Sequence, residues 1–366
     1  MAAVTLVRVT AGRDGAEPHL VDFDLHIDDG LTVCVLGRSG SGKSTLLRVV
    51  AGLTTPTAGR VLLDGVDVTR RPPRERRMGM VMRRNTLPAG HSVRRSIRLP
   101  LVMRNRKIDQ EQAVDDEAHR LGIERLLDRS NRSLSGGQRM LVQSARALVD
   151  TPTALLLDEP FADLDPHRRV LLRQRLASRW STVTVILATS DPIEAMAVSD
   201  RVVVLGDDGT RQVGSGEELR DAPETVVVAE LLGEPPMLLV PAQVRHRAGE
   251  TSFSVGEASI PTWNPELRSL DGLRLTVGVW PEDASSPARP GHTALRGYVT
   301  NVEPLGHATL THVRLEAGCE VRLPVSGPTH RIGDPIEIGI DGARLHVFEP
   351  IEGRAISHPP SRRRSV

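Results

Sequence analysis

The sequence predicts a mixed α/β unit followed by an all-β unit, and three observations carry that prediction. An apolar run, Leu31 to Leu36, passes through a glycine-rich loop into a helical stretch, Leu46 to Ala51. Between Ala154 and Leu205 apolar runs alternate with helical stretches, and the run at Ala154 to Leu157 is continuously hydrophobic, as strands covered on both faces are. Beyond Gly233-Glu234-Pro235-Pro236 the texture changes to short alternating runs separated by Gly, Pro and Asp.

Taken in order, Val4 to Val9 and Val21 to Ile27 alternate apolar and polar residues, the pattern of half-buried antiparallel strands. Asp29-Gly30 turns the chain into the buried run, and Arg60 to Leu63 reads as a further strand closed by Asp64-Gly65. A basic, proline-bearing stretch from Arg70 to Arg77 follows. It is expected to be a solvated loop, with contact to lipid headgroups or a partner as the sharper reading. Met78 to Met82 is apolar again. From about Ser92 to Arg129 the pattern is polar and helical, with no glycine before Gly122, so a helical insertion is expected over about 92–135. Leu134-Ser135-Gly136-Gly137-Gln138-Arg139 opens a helix running through Leu148, and the strand at Ala154 to Leu157 ends in Asp158-Glu159-Pro160. A helix (Arg168 to Trp180), a strand (Val183 to Ala188), a helix (Ile193 to Val198) and a strand (Arg201 to Leu205) extend the alternation. In the second unit, strands are expected at Leu273 to Val279, Leu295 to Val302, Thr309 to Leu315, Glu320 to Leu323, Ile336 to Ile340 and Leu345 to Phe348, with small-barrel spacing. The domains so read are 1–233 and 234–350, with 351–366, which includes Pro359-Pro360 and Arg362-Arg363-Arg364, as a disordered basic tail.

Composition narrows the function. At 366 residues and 39% hydrophobic the chain can bury two ordinary cores, and 47 basic residues against 46 acidic give no general electrostatic case for nucleic acid. Aromatic residues are 2% of the chain, too few for base-stacking platforms, so nucleic acid is not an expected partner. Cys34 and Cys319 lie too far apart for a metal motif or a disulfide framework, and a reducing cytosol is expected. No signal peptide opens the chain, and no apolar run approaches the ~18 residues of a spanning helix, so work at a membrane would go through a partner.

The glycine-rich loop is Gly37-Arg38-Ser39-Gly40-Ser41-Gly42-Lys43-Ser44-Thr45, at a strand-to-helix junction. Glycines there let backbone N–H groups turn inward at phosphate oxygens, and the helix N-terminus adds partial positive charge. Lys43 can neutralise β- and γ-phosphates, and the Ser44 hydroxyl can ligate Mg²⁺. Lysine occurs only at Lys43 and Lys107, which makes a chance lysine in such a loop a poor explanation.

The phosphate loop, Leu134 to Gln138 and the strand end Leu155 to Pro160 stand in that order, with a helical insertion between the first two. Together they resemble the ATP-binding subunits of ABC transporters over 1–233. The resemblance implies a P-loop NTPase fold with a mixed sheet, an antiparallel β subdomain and a helical insertion, and ATP and Mg²⁺ as ligands. It assigns nucleotide contacts to Gly37, Ser39, Gly40, Gly42, Lys43, Ser44 and Thr45, and metal contacts to Ser44 and Asp158. Glu159 matches the catalytic glutamate that polarises the attacking water, and Ala162-Asp163-Leu164-Asp165 stands where the family has its D-loop. In such proteins two nucleotide domains pair head to tail, so Ser135, Gly136, Gly137 and Gln138 would meet the γ-phosphate held by a second ATP-binding subunit. The implied partners are that second subunit, in a homodimer or heterodimer, and two transmembrane permease subunits, with an extracytoplasmic solute-binding protein engaged indirectly. The implied location is the cytoplasmic side of the membrane. Gly278-Val279-Trp280-Pro281-Glu282-Asp283 and Val302 to Gly306 look like the OB-like barrel appended to carbohydrate-importer ATPases of the maltose and glycerol-phosphate type. Polyamine, sulfate, molybdate and iron importers carry similar barrels, so the solute stays open, with carbohydrate favoured.

Three departures cluster on the ATP site. Where the family stacks an aromatic residue on adenine, this chain has Ala11-Gly12-Arg13-Asp14, leaving the Arg13 guanidinium as the planar group. After Met80-Val81-Met82 the family's glutamine, which meets Mg²⁺ and water, is replaced by Arg83; a guanidinium has only donors and cannot ligate a cation, though it could bind a phosphate oxygen. Its loop, which receives the membrane subunit, reads Asn85-Thr86-Leu87-Pro88-Ala89 without the usual aromatics. Where the family has Thr-His-Asp this chain has Thr189-Ser190-Asp191, so the histidine that clamps the γ-phosphate is missing. Losing one preorganised group of this kind costs on the order of 10²–10³ in rate, so slow hydrolysis is expected. Two functions follow: an importer ATPase of reduced turnover, or a degenerate nucleotide-binding partner in a heterodimer.

Overall fold

The structure is a computed structural model that describes residues 2–12, 18–83, 87–162, 164–206, 211–262, 264–304, 309–325 and 330–360. The chain separates into two compact units, Met1–Gly216 and Glu217–Val366, and the change of texture at Gly233 falls inside the second.

In the first unit, β1 (Val4–Gly12), β2 (Pro18–Ile27), β4 (Ala58–Leu63) and β5 (Val66–Asp67) form an antiparallel sheet in the order β2-β1-β4-β5. The alternation read in the sequence is realised: Leu6, Val9, Phe23, Leu25 and Ile27 are buried on one face. Between β2 and β4 the chain makes β3 (Thr32–Gly37) and α1 (Lys43–Ala51). The strands β6 (Gly79–Val81), β7 (Ala154–Asp158), β8 (Thr184–Thr189), β9 (Arg201–Leu205) and β10 (Arg211–Gly214) join β3 in a second sheet, ordered β10-β9-β3-β8-β7-β6. All its pairings are parallel except β10 with β9. Every residue of β3 and of β8 is buried, which is why these runs lack polar alternation. One core joins the two sheets through α1: Leu46, Leu47, Val49 and Val50 pack with Val33, Val35, Leu156 and Ile186.

The basic stretch 70–77 is not wholly a solvated loop. It holds a short helix, α2 (Pro73–Arg76), and Arg76 is only 2% exposed. Its Nη1 donates to the carbonyls of Val49 (2.7 Å) and Val50 (2.9 Å), its Nε to Arg71 O and its Nη2 to Thr69 O. A cation thus satisfies the last carbonyls of α1, at the negative end of its dipole. Arg70, Arg71, Arg74 and Arg77 are exposed as expected.

The helical insertion comprises α3 (Val93–Met103) and α4 (Gln110–Leu121), capped by the side chains of Ser92 and Asp109, and leads into α5 (Gly136–Leu148). Buried Glu117 on α4 takes a two-pronged bond from Arg179 on α6 (Pro166–Trp180), at 3.0 and 2.8 Å, tying the insertion to the sheet's covering helix. The last helix before β9 is α7 (Pro192–Val198).

The second unit begins with α8 (Gly216–Asp221) and α9 (Val226–Leu231) and continues as two antiparallel sheets over one core. The six anticipated runs are strands, but three earlier ones were not anticipated: β11 (Leu238–Arg247), β12 (Glu250–Val255) and β13 (Ala258–Thr262). Pro241 interrupts the first of them in sequence, yet it sits at an exposed position of a strand whose buried residues alternate cleanly. The expected disordered tail also needs correction, since Ala355–Ser357 forms a strand against His346–Phe348, the Ala355 N–H donates to Glu224 O at 2.9 Å, and His358 lies 3.0 Å from His346 Nδ1 to Nδ1. Residues 361–366, with the arginine run, lie outside the described residues.

Candidate nucleotide site

Parallel strands put their C-terminal ends on one edge of a sheet, and β3, β6, β7 and β8 all end there. The phosphate loop leaves β3 at Gly37, and its geometry depends on glycine at three positions. Gly40 and Gly42 both have φ of +99°, in the left-handed region that other residues avoid, and a Cβ on Gly37 would stand 2.5 Å from both Leu205 O and Ser41 Oγ. Within this cradle Lys43 is 4% exposed; its Nζ donates to Gly37 O and Arg38 O, each at 2.7 Å. Ser39 is exposed at the rim and Thr45 is buried.

The end of β7 supplies two carboxylates. Ser44 Oγ donates to Asp158 Oδ1 at 2.9 Å, so two hard oxygen ligands already lie side by side. Glu159 follows with φ of +45°, a strained value for a side-chain-bearing residue, and its N–H donates to Ala188 O on the neighbouring strand at 2.8 Å. Its side chain is 15% exposed: Oε1 lies 3.9 Å from Lys43 Nζ and Oε2 accepts from Arg83 Nη1 at 3.0 Å.

Arg83 therefore meets a carboxylate, where the sequence suggested a phosphate oxygen. The physical reason is proximity: β6 and β7 are parallel neighbours, Val81 opposite Leu157, so residues just past their ends face each other. At the end of β8, Ser190 is exposed beyond Thr189, whose Oγ1 donates to buried Glu194 at 2.6 Å. Asp191 takes a 2.7 Å bond from Arg169 and caps α7. Burial pushes the Glu194 carboxyl up to about 7, with the charge on Asp191 adding to the effect and the Thr189 hydrogen bond opposing it.

The signature residues lie at the start of α5. Ser135 Oγ accepts from the Gln138 N–H and Gln138 Oε1 accepts from the Ser135 N–H, a reciprocal cap. Gly136 and Gly137 sit in the first turn, and a Cβ on Gly137 would meet nothing within 4 Å, so this helix N-terminus is open to an incoming anion. Arg13, Arg84, Asn85, Thr86 and Asp163 lie outside the described residues.

These residues fit a magnesium–nucleotide ligand. The Ser41 Oγ is buried in the loop without a hydrogen-bond partner among the described residues, a polar atom suited to a ligand oxygen, and the Ser44–Asp158 oxygen pair is the donor type Mg²⁺ selects. Reading the sequence alone missed Arg76, Glu194 and the Arg83–Glu159 pair. An arginine amid eight residues of basic loop carries no signal of burial, and the pair depends on β6 and β7 being neighbours, which residue types alone do not show.

Comparison with known proteins agrees with this geometry. A family model described as ABC transporter matches residues 20–162, and one described as TOBE domain matches 277–348. The sn-glycerol-3-phosphate import ATP-binding protein UgpC of Cereibacter sphaeroides is 38% identical over 97% of this chain and 100% of its own length. The sulfoquinovosyl glycerol transport ATP-binding protein SmoE of Agrobacterium fabrum is 37% identical over 97% of this chain and 100% of its own. The alpha-glucoside transport ATP-binding protein AglK of Rhizobium meliloti is 34% identical over 92% and 94%. Among solved structures, cbiO1 from Clostridium perfringens, part of an ABC transporter complex, superposes with a TM-score of 0.54 at 28% identity, covering 59% of this chain and 89% of its own.

Proposed function

We propose, since this chain belongs to the ATP-binding proteins of ABC transporters, that it powers an importer for a carbohydrate or a glycerol-linked polar solute, with slow ATP hydrolysis at its own site. The observation that carries the reading is the convergence of Lys43, Ser44, Asp158 and Glu159 on one sheet edge, with an open helix N-terminus at Gly136-Gly137 elsewhere on the unit. Lys43 would exchange its loop carbonyls for β- and γ-phosphate oxygens, while Ser44 and Asp158 would hold Mg²⁺. When bound, the ion neutralises charge on the transferring phosphoryl group. Hydrolysis joins the water oxygen to the γ-phosphorus and breaks its bond to the bridging oxygen, ADP departs with that electron pair, and the water's proton passes toward Glu159.

No helix among the described residues is long and apolar enough to cross a membrane. The coupling would run through permease subunits, against which the chain would sit on the cytoplasmic side. A second ATP-binding subunit would complete each site from its signature residues, and a solute-binding protein would deliver cargo from outside. ATP binding would favour the closed dimer and hydrolysis the open one. A heterodimer in which this chain is the degenerate member is the second reading, favoured by Arg83 at the glutamine position and Ser190 at the histidine position.

Turnover of MgATP by the purified chain, alone and mixed with an intact sugar-type ATPase subunit, tests both. Slow turnover alone, lowered by Glu159→Gln and raised by Arg83→Gln with Ser190→His, supports the impaired importer subunit. Silence alone with stimulation in the mixture supports the degenerate partner, and turnover alone at an intact subunit's rate removes both the slow site and the degenerate partner.

A further inference from the structure

We propose that Arg83 is a positioning residue that restrains Glu159, and that this restraint, rather than the missing metal-facing amide, is what slows hydrolysis. The proposal rests on the reading of the site as an ATPase.

Glu159 has two oxygens and both face cations. Oε2 accepts from Arg83 Nη1 at 3.0 Å and Oε1 stands 3.9 Å from Lys43 Nζ. Its backbone adds rigidity: the φ of +45° and the bond from its N–H to Ala188 O fix the direction in which the side chain leaves the chain. When nucleotide binds, Lys43 has phosphate oxygens to turn to, because it stands in the cradle that receives them. Arg83 starts instead from the end of β6, 57% exposed, with its charge already matched by the carboxylate. One acceptor site of Oε2 is then engaged by a guanidinium N–H, which holds the carboxylate in one orientation. A carboxylate held in this way has to turn out of an existing charge-assisted bond before it faces an attacking water.

A second consequence separates restraint from simple loss. A glutamine at this position would both release Glu159 and supply an oxygen for metal and water; methionine would release Glu159 and supply no oxygen donor. Lysine would keep the charge near Glu159 without the planar fork.

The test uses the full chain, with single-turnover MgATP hydrolysis and equilibrium binding of MgATP and MgADP measured for each variant. Arg83→Met is expected to raise kcat about tenfold or more, with KM and MgATP affinity within about threefold of the parent, and Arg83→Lys to stay within about threefold in rate. In a Glu159→Gln background, Arg83→Met should change the residual rate less than about twofold, because the restrained group is gone. A gain seen with Arg83→Gln but not with Arg83→Met would overturn the proposal and place the defect in the missing amide. So would weakening of MgATP but not MgADP binding about tenfold in Arg83→Met, which would mean that the guanidinium moves to the γ-phosphate. Loss of MgATP binding by the parent chain would instead remove the ATPase reading itself.

Discussion

On one side of the nucleotide site, the ends of β3 and β7 hold Lys43, Ser44 and Asp158 in short contacts: a lysine on two loop carbonyls, a hydroxyl on a carboxylate. On the other side, the ends of β6 and β8 carry Arg83, which pairs with Glu159, and Ser190, a short and exposed side chain. Both sides hang from the same parallel sheet, and the registers that position them are uninterrupted. The difference is therefore not one of scaffold. On the proposal above, a fold keeps the elements that grip a phosphate while a single side chain past a strand end changes the state of the group that would activate water, because gripping is shared among a backbone loop and several side chains and activation rests on one carboxylate.

The largest effect should come from Glu159 once it is released. In an Arg83→Met background, Glu159→Gln is expected to lower the single-turnover rate by about 10²–10⁴-fold, the usual worth of a general base, and by much less in the parent. Equal losses in both backgrounds would break the contrast between the two sides. On the gripping side, Arg76→Met leaves the Val49 and Val50 carbonyls without their cation, and a loss of about 2–3 kcal/mol of stability is expected in urea titration. A loss confined to the rate, with no change in stability, would contradict the reading of Arg76 as the support of α1.

Glu194, behind Thr189, gives a pH-dependent test of the other side. Its carboxyl is raised to about 7 in the folded chain, above the ordinary glutamate value it has when unfolded, so the native state binds the extra proton. Stability should accordingly fall as pH rises from about 4.5 to 7, on the order of 1–3 kcal/mol, and Glu194→Gln should flatten that slope. Urea midpoints at intervals across this range decide it. The smallest effect expected is a further gain of about tenfold in rate when Ser190→His is added to Arg83→Met, short of the roughly 10²–10³ of a preorganised donor because the position is exposed.

Much of this was legible in the sequence. Continuous hydrophobicity marked Leu31 to Leu36 and Ala154 to Leu157 as doubly covered strands, and both are buried in the parallel sheet. The glycines of the phosphate loop announced their own torsions. Arg83 and Ser190 were visible as residue types, but the partner of Arg83 was not, since it depends on β6 and β7 being neighbours 76 residues apart in sequence. Arg76 was hidden for a related reason: a charged residue reads as solvated until helix-end carbonyls are known to lie within its reach. In the second unit Pro241 masked a strand that tertiary pairing enforces, and the segment taken for a tail is a strand because it has an edge to join.

Equilibrium binding of MgATP to the full chain and to its Lys43→Ala variant tests the account most directly. Saturable binding by the parent, weakened about 10²-fold or more by the substitution, is the predicted result, given that a charged hydrogen-bonding group is lost from a buried phosphate cradle. No saturable binding by the parent, or equal affinity in the two proteins, would contradict it.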